Sequence, residues 1–383
     1  MLIKYCKVCV LPSTKPDLGF DQNNICDACN NYQNRKSIDW KKRYEDLLIL
    51  VKKYKNIDFS NWDCVVPVSG GKDSTYQVLQ VIKLGLNPLC VTSTTCDLSD
   101  LGKKNIQNIK NLGVDLIEVS PDPKIRARLN AIGLKRVGDI SWPEHVGIFT
   151  IPVQIALKFN IKLIVWGENS QNEYGGPSEA SNSNILNRRW LEEFGGLLGM
   201  RTSDIIKLDN IHKKKLIHYE YPSEELLKNA QIEGVFLGHY IPWDGLNNSL
   251  IAQMNGFSTY EKLVEGSIVN YENLDNHQTG IHDYFKFLKF GFGRASDIAS
   301  LLIRRGKLDR SDAIKLVKKL DGKFPWYYLG KKLEDILKPL NISIDEFVNI
   351  CDEFTNKKIF KKDNDGKLFK DNMGNLEKNN YDN

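Results

Sequence analysis

The run Asp63-Cys-Val-Val-Pro-Val-Ser-Gly-Gly-Lys-Asp-Ser-Thr-Tyr-Gln-Val-Leu-Gln80 joins two kinds of pattern. Val65, Val66 and Val68 form the short β-branched run of a buried strand, and Tyr76 to Ile82 then carries apolar residues at helical spacing. Between them stands Ser69-Gly70-Gly71-Lys72-Asp73-Ser74. Two adjacent glycines let the backbone turn sharply and approach a ligand, while the free N–H groups that open the next helix point into the turn. The turn is therefore expected to hold an anion, most simply a phosphate.

The spacing excludes two familiar phosphate loops. A Walker loop needs a longer interval between glycines and ends in Gly-Lys-Ser/Thr, and the dinucleotide fingerprint needs Gly-x-Gly-x-x-Gly. Ser-Gly-Gly-Lys-Asp-Ser instead resembles the PP-loop of ATP pyrophosphatases, which cleave ATP between the α and β phosphates and hold the departing pyrophosphate. The plainer alternative is a strand-to-helix turn in which Asp73 or Ser74 only caps the helix.

Working outward, Pro88 to Thr95 reads as a second strand ending in hydroxyls, Gly102 to Leu112 as a helix and Gly113 to Ser120 as a third strand. Alternating strands and helices predict an α/β fold, a parallel sheet with helices on both faces. Ligands of such sheets bind beyond the carboxyl ends of the strands, which places Ser69 to Ser74, Thr94 and Thr95 on one rim. After helices carrying Trp142-Pro-Glu-His145 and Ile151 to Phe159, Ile161 to Trp166 reads as a fourth strand. Gly167, Glu168 and Asn169 follow directly, placed for nucleotide, metal or substrate contacts; a polar loop is the plainer reading. Val235 to Gly238 reads as a further strand leading into His239, more simply a hydrogen-bonding histidine than a catalytic base.

Cys6-Lys-Val-Cys9 and Cys26-Asp-Ala-Cys29 lie within the first thirty residues. Four thiolates so spaced can surround one tetrahedral Zn²⁺, and so short a segment has too little core to fold without it. Residues 1–32 are read as a structural zinc ribbon with Cys6, Cys9, Cys26 and Cys29 as metal ligands. Residues 33–58 hold a basic linker helix with Trp40, Tyr44, Leu47, Leu48 and Val51 near a 3.6 period. The nucleotide domain is expected over 59–245, an α-only C-terminal region over 246–356, and a hairpin or flexible tail over 357–383, where Asp365-Gly366 and Asn372-Met-Gly374 are turn signals. The polar, basic stretch 178–215 is either a lid over an anionic substrate or a solvated insertion. In Phe290-Gly-Phe-Gly-Arg294-Ala-Ser-Asp297, Arg294 is a candidate oxyanion clamp; the alternative is a helix turn with Arg294 paired to Asp297.

A net charge of +5 over 383 residues fits an anionic small molecule as well as nucleic acid. The apolar runs fall short of the roughly 18 residues that cross a bilayer, and the first residues lack a signal-peptide stretch, so a cytoplasmic location is expected. Reduced thiols there make cysteine spacing a question of metal.

With the two cysteine knuckles, Ser69 to Ser74, Trp166-Gly-Glu-Asn169, Tyr240-Ile-Pro-Trp-Asp244 and Phe290 to Asp297 in this order, the chain resembles the bacterial N-acetyl sugar amidotransferases, the WbpG-like and PseA-like proteins of surface-glycan (lipopolysaccharide O-antigen or flagellin sugar) biosynthesis. The resemblance implies ATP-dependent conversion of an acetamido group on a nucleotide-activated or acidic sugar to an acetamidino group, through an imidoyl adenylate, with AMP and pyrophosphate released. It implies that Ser69, Gly70, Gly71, Lys72, Asp73 and Ser74 hold phosphates, that Thr94, Gly167 and Asn169 line the nucleotide site, and that Lys72, Asp73, Glu168 and Arg294 serve the chemistry with Mg²⁺. It implies, too, a separate glutamine amidotransferase (HisH-like) and a cyclase-like (HisF-like) subunit that supply ammonia, because no glutaminase cysteine stands out: Cys64 precedes a strand, Cys90 lies in one and Cys351 is in the helical region. The alternatives are a PP-loop tRNA-modifying enzyme of thiolation or lysidine type, weakened because no cysteine occurs between Cys96 and Cys351, and a non-catalytic ATP-binding scaffold.

Overall fold

A computed structural model describes residues 3–56, 60–168 and 198–379. The short helix α1 (Asp27–Asn34) begins inside the second cysteine knuckle, with Cys26 as its N-cap and Cys29 in its first turn, and α2 (Trp40–Tyr54), capped by the Asp39 side chain on the Lys42 N–H at 3.0 Å, leads into the sheet. The alternation predicted from the sequence is present: β1 (Cys64–Pro67), α3 (Lys72–Lys83), β2 (Pro88–Ser93), α4 (Asp100–Asn111), β3 (Asp115–Val119), α5 (Pro123–Val137), α6 (Trp142–Lys158) and β4 (Leu163–Trp166). The fifth strand, β5, spans Glu233–Phe236. It is shorter at its C-terminal end than the sequence reading, because Leu237–Tyr240 already turns as a helix.

Among the described residues the sheet has five strands, all parallel, in the order β3-β2-β1-β4-β5. The chain winds one way from β1 to β3, then crosses to β4 and β5 on the other side. The order therefore reverses between β1 and β4, and a crevice opens at their carboxyl ends. Alternate residues face opposite layers, as the pleat requires. Val65, Leu89, Val91, Ile164 and Trp166 pack with Ile151, Val153 and Ala156 of α6. Val66, Cys90, Leu163 and Val165 pack on the other face with Val78 and Val81 of α3 and with Leu47 and Val51 of α2.

A second core gathers the C-terminal region, with Phe285, Phe287, Leu288, Tyr328 and Phe347 at its centre. This region is not α-only. A two-stranded ribbon, β6 (Tyr327–Tyr328) and β7 (Lys331–Lys332), interrupts its helices, and bridges Phe360↔Lys378, Lys362↔Leu368 and Lys370↔Leu376 fold the tail back on itself. Tyr-Tyr and Lys-Lys pairs are too short for a period to show. Among the described residues no helix is long and apolar enough to cross a membrane.

Candidate active site

The chain leaves β1 at Pro67 and enters the turn with Gly70 at φ 81°, in the left-handed region. A Cβ there would stand 2.8 Å from the Ile106 backbone nitrogen of α4. Gly70 is thus fixed by both conformation and close packing. Gly71 differs: at φ −69° and ψ 172° it is the N-cap of α3, and its Cβ would meet only the Ser69 hydroxyl at 3.3 Å. A glycine cap offers no side chain to the first helical N–H groups. They open onto a hollow that any larger cap would fill, which fits a phosphate.

The hydroxyls of the turn work inward. Ser74 Oγ and Thr75 Oγ1 each donate to the Gly71 carbonyl at 3.0 Å, and Ser69 Oγ accepts from the Gly71 N–H at 3.3 Å. Asp73 does not cap α3. Its Oδ1 accepts from Asn248 Nδ2 at 2.8 Å, and its Oδ2 from Lys72 Nζ. Lys72 is buried and also pairs with Glu272 Oε1 at 3.0 Å. This ammonium lies between two carboxylates beside the turn, so a phosphate entering the turn meets a lysine already held in place.

Two adjoining cavities open here. The smaller, about 180 Å³, lies between the Ser69–Ser74 turn, Glu168, the segment Tyr271–Asp275 and Arg294. The larger, about 340 Å³, lies between the strand ends at Thr92–Thr95, Glu144 and Phe149 of α6, and Gly167–Glu168. Both are lined by Ser69, Asp73, Ser74, Glu168 and Asp275, so they form one cleft. Concave volumes of this order suit a small-molecule ligand. Thr94 Oγ1 lies 2.9 Å from Ser120 Oγ, while Thr95 Oγ1 is buried with no hydrogen-bond partner among the described residues, a polar atom open to a ligand.

The structure brings Ser69 to Ser74, Thr94, Gly167, Glu168 and Arg294 to this cleft. Asn169 lies outside the described residues, as do residues 178–197 of the stretch 178–215 read as a lid or insertion. Arg294 is not paired with Asp297. Its Nε and Nη2 donate to Asp283 at 3.1 and 2.8 Å in a bidentate fork, and Asp297 is held by Lys286 instead. Helical spacing favoured the near neighbour, but Asp283 arrives from the preceding helix, Thr279–Phe290. Burial pushes the Asp283 carboxyl up, yet the Arg294 and Lys286 charges outweigh it and hold it at about 2. His239 lies in the short helix after β5, where its carbonyl accepts from Arg43 Nη1 at 2.8 Å.

Three cleft carboxylates escaped the sequence reading. Glu272 pairs with Lys72, as described above. Asp275 lines both cavities, and burial raises its pKa. Glu144, raised by burial and partly offset by Arg126, accepts from Asn130 Nδ2 at 2.7 Å and from the Cys96 N–H at 3.3 Å. Perturbed carboxyl groups in a cleft mark candidate functional residues. For Glu144 a signal was available, since α6 runs back against β4 and its first turn must reach the same rim.

The cysteine knuckles close on one another apart from the cleft. Cys6, Cys9, Cys26 and Cys29 are almost wholly buried, with Sγ atoms 3.8 Å apart for Cys6 and Cys29 and 3.7 Å for Cys9 and Cys26. A tetrahedron with Zn–S bonds of ~2.3 Å has edges of ~3.8 Å. The N–H groups of Cys9 and Cys26 point at Cys6 Sγ, and that of Leu11 at Cys9 Sγ, an outer shell suited to thiolates. The donor set fits a closed structural metal site.

Residues 257–373 match the family model described as LPS biosynthesis protein WbpG-like, C-terminal domain. No curated protein matches the sequence. Among solved structures, NMN synthetase from Francisella tularensis aligns at a TM-score of 0.27 and 13% identity, covering 57% of this chain and 87% of that one. NH3-dependent NAD synthetase from Campylobacter jejuni aligns at 0.27 and 15%, covering 57% and 97%. Residues 257–373 are thus similar to a WbpG-like C-terminal domain, and they follow a parallel sheet that carries the Ser-Gly-Gly-Lys-Asp-Ser turn at its switch point.

Proposed function

We propose that the protein is an ATP-dependent amidotransferase that turns an acetamido group of a nucleotide-activated or acidic sugar into an acetamidino group, in surface-glycan biosynthesis. The observation that carries this reading is the composition of the smaller cavity: one wall is the glycine turn, and the other, Phe257 and Tyr271 to Asp275, falls inside the WbpG-like match. The glycine turn and a surface inside the WbpG-like match thus face each other across one space, which supports the reading.

A carboxamide is a poor electrophile, so its oxygen must first become a leaving group. On this reading ATP lies with its adenosine toward Thr94 and Gly167 and its β and γ phosphates in the turn. The amide oxygen attacks the α phosphorus, the bond to the bridging oxygen breaks, and pyrophosphate departs toward the N–H groups of Gly71 to Ser74. Preorganised donors aimed at developing charge are the main catalytic resource of such a step. Ammonia then adds to the activated carbon, loses a proton and expels AMP. Asp73, Glu168 and Asp275 offer carboxylates for Mg²⁺, which when bound neutralises charge on the leaving pyrophosphate. Arg294, fixed by Asp283, would present positive charge to an acidic sugar. The four cysteines would hold structural Zn²⁺. The domain division is proposed as 1–32, 33–58, 59–245, 246–356 and 357–383, and ammonia supply by separate HisH-like and HisF-like subunits is part of the same proposal.

Purified chain incubated with ATP, Mg²⁺, ammonium and candidate nucleotide sugars should form AMP and pyrophosphate only when the right sugar is present. Mass spectrometry should find that sugar lighter by the exchange of an amide oxygen for nitrogen. Glutamine without its partner subunits should not replace ammonium. Sugar-independent AMP formation with no change in sugar mass would overturn the reading.

A further inference from the structure

We propose that Asp139, His145 and His282 form a second metal site, taking a divalent first-row cation beside the cleft and apart from the four cysteines. Asp139 is 3% exposed and receives one imidazole on each carboxylate oxygen: His145 Nδ1 stands 3.1 Å from Oδ2 and His282 Nδ1 2.7 Å from Oδ1. One ligand atom from each of the three lies within 4.8 Å of the others. The rings meet edge to face with centroids 5.0 Å apart. Neighbouring ligands of a six-coordinate ion with bonds of ~2.1 Å are ~3 Å apart, so the three donors need little movement to close on an ion.

The scaffold fixes the carboxylate independently of the histidines. Gly138, at φ 61°, ends α5, and the Asp139 N–H donates to the Gly133 carbonyl at 3.1 Å while Oδ1 accepts from the Ser141 N–H at 2.9 Å. His145 stands on the first turn of α6, and His282 comes from the first turn of the helix Thr279–Phe290. The donors thus join the sheet half of the chain to its C-terminal region. The imidazole side chains remain 30% and 28% exposed, so an ion can enter.

Two nitrogens and one carboxylate suit Zn²⁺, Fe²⁺, Co²⁺ or Mn²⁺, and three protein ligands leave positions for water or an outside ligand. Glu144, adjacent to His145, lines the larger cavity, and Asp283, adjacent to His282, holds Arg294 at the smaller. The site therefore borders the cleft on its α6 side. This inference does not depend on the amidotransferase reading, and its test reads metal content, not turnover.

The full chain and the His145→Ala/His282→Ala variant, each equilibrated with Zn²⁺ and desalted, are compared by native mass spectrometry and elemental analysis. Whatever the cysteine cluster carries is common to both and cancels. The wild-type chain should hold one more ion, with the variant's melting temperature confirming that it folds. In a Co²⁺ titration, His282→Ala alone should weaken the second site by roughly a hundredfold. Equal stoichiometry in the wild-type chain and the double variant, or unchanged Co²⁺ affinity in His282→Ala, overturns the proposal and leaves a hydrogen-bonded His-Asp-His cluster.

Discussion

The two glycines of the turn look equivalent in sequence and are not. Gly70→Ala would need a left-handed φ and would press a methyl group into the backbone of α4. It should cost about 1–3 kcal/mol and lower the melting temperature. Gly71→Ala meets neither obstacle, since its backbone is extended and its neighbour is a movable hydroxyl. That variant should keep its melting temperature yet lose at least ~10-fold in ATP affinity, measured calorimetrically, if the hollow it fills is where phosphate binds. Unchanged affinity would remove phosphate from this turn. Asp283 gives a second test. Its carboxyl is depressed from 3.8 to about 2, so it contributes stability above the unfolded value, and that contribution fades as pH falls from about 4 to about 2. Asp283→Asn should be less stable than the wild-type chain by about 2 kcal/mol at pH 6, and the gap should narrow in denaturant titrations below pH 3. The doubled glycine was legible in the sequence as a device. That one glycine serves the fold and the other the ligand was not, because α4, the chain segment that makes Gly70 indispensable, lies more than thirty residues later.

At the scale of elements, the N-terminal knuckles have a core made largely of sulfur: Cys6, Cys9, Cys26 and Cys29 with Leu11, Leu18 and Ala28. With so small an apolar core, a metal held by the four thiolates would supply folding free energy to this segment, as proposed above. Stripping metal with a chelator should make the chain cleavable by protease between Cys6 and Cys29 while the sheet stays protected, and Cys26→Ser should behave the same way without chelator. Resistance of the stripped protein would remove the metal's structural role. The buried strands of the sheet half could be read as short apolar, β-branched runs and its helices from their 3.6 period, since both are long enough to record burial. The ribbon at Tyr327–Lys332 could not, because two residues per strand carry no period. The tail shows a third case. Asp363 Oδ1 accepts from the N–H groups of Asp365 and Lys367, and Asp371 Oδ1 from those of Met373 and Asn375. These turns are local, so their signals stood in the sequence.

For the molecule as a whole, the cleft is assembled from segments far apart in the chain. Asn248 reaches Asp73 across 175 positions, and Asp275 joins Ser69 and Glu168 from inside the WbpG-like region. Asp275 makes a prediction with two signs. Its folded pKa is raised by burial, so ionising it in the folded chain costs stability, a cost absent below the unfolded value and incurred as pH rises through the raised folded value. Asp275→Asn should therefore melt no lower than the wild-type chain at pH 7 and gain relative to it on going from pH 4 to pH 8. If the cleft is the active site, the same variant should lose roughly a hundredfold in sugar-dependent AMP formation, because charge is kept at a cost where chemistry uses it. A variant that melts lower with full turnover would make Asp275 a structural residue.

What the sequence determined alone was whatever depends on near neighbours: the strand-turn-helix unit around Gly70 and Gly71, the alternation that builds a parallel sheet, the paired cysteines, and the Asp-Gly turns of the tail. What only the tertiary structure decided was which charges share a space. Arg294 turned to Asp283, Lys72 to Glu272, and Asp139 to two histidines, one of them 143 positions away. Backbone conformation is fixed by local sterics and periodic burial, which a linear pattern records. Ion pairing is fixed by distance in three dimensions, and no spacing in the chain records the way its layers close on one another.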